Sequence, residues 1–228
     1  MFDDLMFSTI LDNEHFLALN KAPGVHMHSQ SGPGLIETLR EIRGEAELYP
    51  VHRLDTPTSG VLLVAKGQTV NRALSALFAA REIQKYYLAL LDKKPSRKQG
   101  KIAGDMLKAR NGCWKLARTK DNPAVTHFFS YGSETGNRLA VLKPLTGKTH
   151  QLRVALKSLG SPIIGDKKYG GSPADRTYLH AWKLRFCFAG KEYDLSADVF
   201  SGDFFTNKEF QSRLSALPHP HNLVWPAS

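Results

Sequence analysis

The chain has 228 residues, of which 42% are hydrophobic and 23% are charged. This length and composition are typical of a globular protein that buries a core without disulfides or structural metals, and they exclude a disordered or fibrous chain. Lys and Arg total 31 against 21 Asp and Glu, a formal net charge of +10, which favours a polyanionic partner.

The cysteine content and the N-terminal segment bear on the compartment. Cys113 and Cys187 are the two cysteines, too few and too far apart for a disulfide framework or a zinc site, which favours a reducing cytosol. The segment MFDDLMFS is acidic where a signal peptide is basic, and no apolar run approaches the roughly 20 residues of a membrane helix. We therefore expect a soluble, cytoplasmic protein, with a monomer as the default.

Short apolar runs bounded by Gly, Pro, Asn or Asp predict a series of strands. In chain order they are His15 to Asn20, Val61 to Lys66, Lys85 to Leu91, Thr126 to Tyr131, Leu139 to Leu145 and Tyr178 to Phe188. Several neighbouring strands are joined by loops that are too short for a crossover helix. The pattern predicts an α+β fold with a mixed or largely antiparallel sheet flanked by helices.

Apolar residues at helical spacing predict four helices. The stripes are Leu35, Leu39 and Ile42; Val70, Leu74, Leu77 and Phe78; Leu152, Ala155, Leu156 and Leu159; and Phe210, Leu214 and Leu217. Gly44 and Gly160 are expected to end the first and third helices, and Pro218 the last. Thr206 and Glu209 have the spacing of a capping box for the last helix.

The positive charge is concentrated between Lys93 and Lys120, where ten basic residues accompany one acidic residue, Asp105. Contacts to phosphates release counterions, so such a cluster favours nucleic acid, although a solvated loop is the plainer interpretation. We expect a flexible arm that grips RNA and becomes ordered only on binding, with Lys94, Arg97 and Lys98 among its contacts.

The run His52-Arg53-Leu54-Asp55-Thr56-Pro57-Thr58-Ser59-Gly60 immediately precedes the apolar strand that begins at Val61. Polar residues, Pro and Gly ahead of a buried strand describe a tight loop held on a rigid element, where catalytic groups are often mounted. Taken alone, the loop favours a plainer interpretation, in which Asp55 and Thr58 only satisfy loop amides and Arg53 only forms a salt bridge.

These motifs together resemble the RluA family of pseudouridine synthases. HRLDTPTSG is similar to the HRLD-x-x-TSG signature of that family, and four further stretches match in the same order. They are Lys21-Ala22-Pro23-Gly24 with His28; Lys85-Tyr86-Tyr87-Leu88-Ala89; Gly147-Lys148-Thr149-His150-Gln151-Leu152-Arg153 with Gly160, Pro162, Gly165-Asp166 and Tyr169-Gly170; and Leu179-His180-Ala181. The departures are the displaced Pro23, Lys148 in place of the usual Arg, and Ala155 where His is common.

The resemblance implies a pseudouridine synthase-type catalytic domain with an active-site cleft. We expect one domain over residues 1–228, with the matching core at about 15–200, and without the small N-terminal RNA-binding domain of some relatives. Asp55 is implied as the catalytic nucleophile, Arg153 as its ionic partner and Tyr87 as the residue that stacks on uracil. Tyr86 and Tyr87 alternate along a strand, so only one of them can face the site.

The resemblance also implies RNA, ribosomal or transfer, as the partner. Its target uridine has to be flipped out of the stack, with Arg53 as the candidate wedge. Residues expected to contact the RNA are His52, Arg53, Thr58, Lys148 and Leu179, besides the three in the basic stretch. No metal and no organic cofactor is implied, because the isomerisation involves no net redox change.

Three other interpretations compete with this one. A P-loop would place Gly147-Lys148-Thr149 at the start of a helix, but it requires Gly where Leu142 stands. A metal site built on His26-x-His28 or His219-x-His221 lacks further ligands. A non-catalytic RNA-binding module would be expected to carry aromatic stacking platforms or a known module signature, and the sequence has neither.

Overall fold

The computed structural model describes residues 6–28, 32–133 and 136–226. The chain divides into two compact units, the first comprising residues 1–85 and 181–198 and the second residues 86–180 and 199–228. Both units contain strands and helices, and the strand pairs given below are antiparallel, which confirms the predicted α+β class. No helix of the described segments is both long and apolar enough to cross a lipid bilayer.

The first unit is a sheet covered by helices. Its elements are β1 (Phe7–Asp12), β2 (Phe16–Lys21), α1 (Leu35–Arg43), β3 (Leu48–Pro50), β4 (Ser59–Lys66), α2 (Gln68–Ala80) and β12 (Lys191–Ser196), with the part of β11 (Leu179–Phe188) from residue 181 onward. β2 lies between β1 and β4, β3 pairs with β4, and β12 pairs with β11.

The core of the first unit is built from alternate residues of these strands. Every side chain of β2 is buried, and so is every residue of β4 except its last. Along β4 the residues Val61, Leu63 and Ala65 share one face, as a repeat of two requires, and contribute to one apolar cluster with Phe16 and Leu74. Strands that are buried on both faces read as continuous apolar runs, and for this reason β2 and β4 were predictable.

Helix α1 ends where the sequence predicts. Gly44 is its C-cap, with a left-handed φ of 63°, and its backbone N–H bonds back to the last turn. The buried face differs from the predicted stripe, because Ile36 is buried with Leu35 and Leu39 whereas Ile42 is 44% exposed.

The second unit contains a four-stranded sheet and a separate hairpin. Its elements are β5 (Gln84–Leu91, from residue 86), β6 (Gln99–Gly104), β7 (Met106–Lys108), β8 (Trp114–Leu116), β9 (Ala124–Tyr131), β10 (Arg138–Pro144), α3 (Gln151–Ser158), α4 (Asp203–Thr206) and α5 (Lys208–Ser215). The sheet order is β5-β10-β9-β6, and β7 pairs with β8.

The basic stretch differs from its prediction. Residues 99–104 form the edge strand β6, and residues 106–116 form the β7–β8 hairpin with a 3₁₀ turn at Arg110–Gly112. The expected arm without secondary structure is therefore wrong for this part of the chain. All ten of its basic side chains are nevertheless exposed.

The cap of the last helix also differs. Asn207 is the N-cap of α5, and its side chain accepts a hydrogen bond from the backbone N–H of Phe210 at 2.7 Å. The Thr206 hydroxyl donates to the Gly202 carbonyl inside the short helix α4, so the predicted capping box of Thr206 with Glu209 does not form. Asn207 satisfies the N–H of Phe210, one residue later than the Glu209 N–H that the predicted box would have satisfied.

Candidate active site

The loop that carries Asp55 joins β3 to β4 in the first unit. Asp55 is partly exposed, while the side chains of Leu54 and Thr58 are only 4% and 3% exposed. The Asp55 carbonyl accepts a hydrogen bond from the Thr58 N–H at 2.9 Å, which closes a tight turn. The loop therefore presents Asp55 while the residues around it are anchored in the unit. The burial of Thr58 does not favour the RNA contact predicted for it.

Gly60 forms the junction between this loop and β4. Its φ is +113°, and a Cβ placed there would lie 2.1 Å from the Ala181 carbonyl oxygen. Only glycine fits where two backbones approach this closely and φ is positive. The TSG end of the motif is thus explained by packing within the first unit.

A buried lysine ties the preceding loop to the Asp55 loop. The Lys21 side chain is fully buried, and its Nζ donates to the carbonyl oxygens of Ala22 at 2.8 Å, Val25 at 2.9 Å and Thr56 at 3.3 Å. The N–H of Gly24 also donates to the Thr56 carbonyl, at 2.8 Å. Hydrogen bonds from an ammonium are stronger than neutral ones, so Lys21 fixes both loops together.

The sequence motifs predict no role for Lys21. The signal that was available is a lysine at the end of a largely apolar strand, because a lysine is almost never buried unless its charge is satisfied. Its position directly before the Pro-Gly turn supplies the carbonyl groups that satisfy it.

The His52 side chain is held against α2 and β4. Its ring stacks on Phe78 with centroids 4.6 Å apart, and Nε2 accepts a hydrogen bond from the Leu63 N–H at 3.1 Å. Burial, helped by the nearby charge of Lys85, lowers the pKa of His52 from 6.5 to about 3. The ring is therefore neutral at physiological pH and acts as an acceptor, so its predicted RNA contact has no support from charge.

Arg53, by contrast, is exposed. Its guanidinium makes no ion pair or side-chain hydrogen bond with any residue in the described segments, although it follows the anchored His52 directly. A planar cation on a fixed backbone can stack on a base or bind a phosphate. The arrangement leaves it available for the wedge role, which stays a prediction.

Tyr86 and Tyr87 lie on β5 and point to opposite faces, as expected for neighbours on a strand. Tyr86 is 1% exposed and packs near Trp225 with ring centroids 6.1 Å apart. Tyr87 is partly exposed and is opposite Leu142 of β10. Of the two tyrosines, Tyr87 is the one whose ring is accessible.

The structure also bears on the P-loop interpretation. Leu142 lies within the paired strand β10, whereas a P-loop requires a glycine in a loop at this position.

Arg153 projects from α3 into the interior of the second unit. Its Nε and one terminal nitrogen donate to the two carboxylate oxygens of Asp166, each at 2.7 Å. The guanidinium also lies over the Tyr169 ring, 4.9 Å from its centroid. Tyr169 is itself held, since its hydroxyl lies 2.7 Å from His150 Nδ1 and accepts from the Trp114 N–H. Arg153 is therefore held in place by Asp166 and Tyr169 within its unit.

The loop before α3 is fixed by Gln151, which is 5% exposed. Its side-chain oxygen accepts from the Thr146 hydroxyl and the Lys148 N–H, at 2.7 and 2.9 Å, and its side-chain nitrogen donates to the Val125 carbonyl at 3.0 Å. The Lys148 ammonium donates to the Asn122 side chain at 2.8 Å and is partly exposed. This part of the motif therefore holds the start of α3, the helix that carries Arg153, against β9.

The predicted site residues are divided between the units. The first holds His52, Arg53, Asp55 and Thr58, and the second holds Tyr87, Lys148, Arg153, Leu179 and the basic stretch. Leu179 is 3% exposed, and Lys94, Arg97 and Lys98 are exposed. The ionic pairing of Asp55 with Arg153 and the stacking of Tyr87 on uracil stay predictions. No three His, Cys, Asp or Glu side chains of residues 6–28, 32–133 and 136–226 are grouped to hold a metal ion.

Comparison with known proteins gives consistent results. A family model described as RNA pseudouridylate synthase matches residues 15–158, more than half of the chain. An uncharacterized RNA pseudouridine synthase of Haemophilus influenzae is 46% identical over 199 residues, covering 86% of this chain and 89% of that protein. Ribosomal large subunit pseudouridine synthase C of Vibrio vulnificus is 35% identical, covering 85% of this chain but 65% of its own length. The chain thus spans less than two thirds of that second relative.

Solved structures support the same fold. Human RNA Pseudouridylate Synthase Domain Containing 1 superimposes with a TM-score of 0.71 at 27% identity, covering 84% of this chain and 82% of that chain. Human RNA Pseudouridylate Synthase Domain Containing 4 gives a TM-score of 0.72 over 93% and 95% of the two chains, at 24% identity.

Proposed function

Since this chain belongs to the RNA pseudouridylate synthase family, a family of isomerases, we propose that it converts a specific uridine of structured RNA to pseudouridine with Asp55 as its catalytic carboxylate. The observation that carries the proposal is the anchoring of Asp55. Leu54 and Thr58 of its loop are buried, Lys21 ties this loop to the preceding loop, and the Asp55 side chain is partly exposed. A reactive group on an immobile loop is what precise positioning requires.

The reaction breaks the C1′–N1 bond of uridine and joins C1′ to C5. The proton on C5 is lost and N1 gains one, so that the product is an isomer of the substrate. A carboxylate can assist by attacking C6, by attacking C1′ or by removing a proton from C2′. In each route Asp55 has to be ionised. An arginine beside it favours that form, and this is the role proposed for Arg153.

The proposal also includes Asp166 and Tyr169, which contact Arg153 and hold it in place. Arg153 is held by two hydrogen bonds to Asp166 and by the Tyr169 ring, which restricts its rotation. Its position is thereby determined before RNA binds. Preorganised charge is the electrostatic contribution that enzymes use most, because it requires no reorganisation during the reaction.

Tyr87 is proposed to stack on the uracil and to assist the removal of the C5 proton. It lies on the accessible face of β5, and its neighbour Tyr86 belongs to the core. A base in a stem or loop must leave its stack to reach such a residue, and extrusion costs a few kcal/mol. Arg53 is proposed to fill the gap, since its guanidinium can stack in place of the extruded base.

The RNA itself is proposed to contact the ten exposed basic side chains between Lys93 and Lys120. β6 and the β7–β8 hairpin hold four of these groups, Lys101, Lys108, Arg110 and Lys115, and the other six lie in the segments on either side. As a substrate we propose a stem-loop of ribosomal RNA, since relatives at 34–36% identity carry that substrate class in their names. Transfer RNA is the alternative.

The proposal is tested by mapping pseudouridine in total RNA from a strain that lacks the gene, before and after incubation with the purified protein. New pseudouridine at one or a few positions supports the proposal and identifies the substrate. A protein that binds this RNA but leaves every uridine unchanged would instead be a non-catalytic RNA-binding module.

A further inference from the structure

The first unit contains a cavity of about 480 Å³ beside the Asp55 loop. Arg53, Leu54 and Thr56 line it from that loop, and His26, Met27 and His28 line it from the loop that follows β2. Its volume is within the range of small-ligand sites, roughly 300–1,000 Å³. Asp55 is not among its lining residues, so the cavity is a second place for a ligand next to the proposed nucleophile.

Hydrogen bonds connect the two loops that form the walls of the cavity. His26 Nδ1 lies 3.2 Å from the Thr56 hydroxyl, and the His26 carbonyl accepts from the Leu35 N–H at 2.9 Å. His28 Nδ1 lies 2.9 Å from a carboxylate oxygen of Glu37. Together with the hydrogen bonds of Lys21 and Gly24 to the Thr56 carbonyl, these contacts preform the site. A preformed site loses little affinity to the ordering of its own side chains.

The lining chemistry suits a nucleobase. Met27 and Leu54 are buried and, with Pro50, provide an apolar floor for a flat ring. The imidazoles of His26 and His28 and the Thr56 hydroxyl offer hydrogen-bond donors and acceptors at the edge. Arg53 lines the cavity as well, and no carboxylate is among the lining residues. Unstacked bases are recognised in this way, on ring and guanidinium surfaces with bonds to their edges.

The position of the cavity indicates which base it holds. Arg53 is two residues from Asp55, and two residues of chain span at most about 7 Å. Stacked nucleotides rise by about 3.4 Å each, so the cavity lies within about two nucleotide steps of the reacting uridine. We propose that it binds the base of a nucleotide adjacent to, or one removed from, the target uridine, and that His26 and Thr56 determine which base is accepted. The inference rests on the proposed function, since it places the target uridine at Asp55.

The first test does not require turnover. Unlabelled RNA from the gene-deletion strain is irradiated at short ultraviolet wavelength, which can crosslink each of the four bases, with the full-length protein, and the nucleotide adducts are located by mass spectrometry. Adducts on the segment from residue 25 to 28 are expected, in addition to those on the basic stretch. Adducts that occur only on the basic stretch and other surfaces contradict the inference, even if pseudouridine is formed.

The second test uses a stem-loop with the mapped uridine, or with the crosslinked nucleotide if no uridine is modified. The bases within two positions on either side are deleted one at a time to leave an abasic ribose, and Kd is measured. For the wild type we expect about a tenfold increase in Kd at one position, as is usual for loss of a stacked base. The double variant His26→Ala/Thr56→Val should bind intact RNA about tenfold more weakly and show no further loss at that position.

Two results would overturn the inference. In the first, the loss of affinity caused by the double variant multiplies with the loss caused by the missing base at every position. In the second, the double variant binds intact RNA with wild-type affinity. His221→Ala, an exposed histidine in the second unit, is the matched control and should bind like the wild type. Failure of the proposed function is a separate result, namely absence of new pseudouridine with wild-type protein.

Discussion

Arg153 and Asp166 form a two-pronged ion pair in the interior of the second unit. Both hydrogen bonds are 2.7 Å, and the two side chains are 6% and 1% exposed. Fork-to-fork geometry of this kind fixes the orientation of a guanidinium as well as its position. A buried pair contributes little net stability relative to apolar residues, so this one is better explained by the orientation it imposes on Arg153.

Replacement of Asp166 by Asn is therefore expected to affect both folding and catalysis. Removal of one partner from a buried pair costs about 3–5 kcal/mol, measurable by urea unfolding. We also expect kcat to fall on the order of 100-fold, as misplacement of a catalytic group by about 1 Å can cause, with little change in RNA affinity.

The control for this variant is Asp198→Asn, which removes an exposed carboxylate from the first unit. It should leave the free energy of unfolding within about 0.5 kcal/mol of wild type, as is usual for surface changes. Wild-type stability and turnover in Asp166→Asn would show that the pair has no positioning role.

The two adjacent tyrosines of β5 provide a matched pair of variants. Tyr87→Phe keeps the ring but removes the hydroxyl, so RNA affinity should be retained while turnover falls by about 100-fold, the lower range for lost acid–base assistance. Tyr86→Phe, on the core face, should turn over at close to the wild-type rate. Equal losses in the two variants would indicate a structural effect of the hydroxyls instead.

The basic stretch is tested by reversing the charges of Lys94, Arg97 and Lys98 to Glu. RNA binding should weaken, and the slope of log affinity against log salt should become shallower by about 2–3, because up to three phosphate contacts are lost. A triple variant at the exposed Arg72, Lys191 and Lys208 has the same net charge and serves as control. If both triple variants shift the slope equally, net charge rather than a local contact is responsible.

His52 predicts a pH dependence of stability. Its pKa in the folded protein is about 3, against 6.5 without the burial, so the unfolded chain takes up the proton more readily. Stability should therefore fall as the pH decreases from about 6.5 towards 3. Between pH 7 and 5 the loss is about 1–2 kcal/mol after allowance for partial exposure, which lowers Tm by several degrees.

His52→Gln distinguishes this histidine from the others. Glutamine can accept the Leu63 N–H without titrating, so the decrease in Tm between pH 7 and 5 should be smaller than in wild type. His221→Gln, at an exposed position, should leave the decrease unchanged. A His52→Gln protein with the full wild-type decrease would assign the pH effect to other groups, such as His127, whose pKa is also lowered by burial.

The sequence predicted the strands that are buried and missed those that are not. The six predicted strands agree with β2, β4, β5, β9, β10 and β11 to within two residues, because buried strands are continuous apolar runs. β6, β7 and β8 lie in the basic stretch, where charged side chains conceal the alternation. β1 and β12 are half-exposed and contain both polar and apolar residues, so their sequences resemble those of loops.

The contacts of the candidate site were less predictable than its residues. The motif resemblance identified Asp166 without a role, and nothing in the local pattern shows that it holds Arg153, 13 positions earlier, through two hydrogen bonds. The contribution of Lys21 likewise depends on carbonyl groups that only the folded loops bring together. The choice of Asn207 over Thr206 as a cap depends on where the short helix α4 ends, which propensity does not determine.

The most direct test of the central claim is tritium release from RNA that carries tritium at C5 of uridine, with wild-type protein and Asp55→Asn compared at equal RNA occupancy. The substitution preserves the size of the side chain and removes its charge. We predict release by the wild type and none above background by Asp55→Asn, with RNA affinity within about twofold. Release by Asp55→Asn at a rate similar to wild type would contradict the assignment of Asp55 as the catalytic carboxylate.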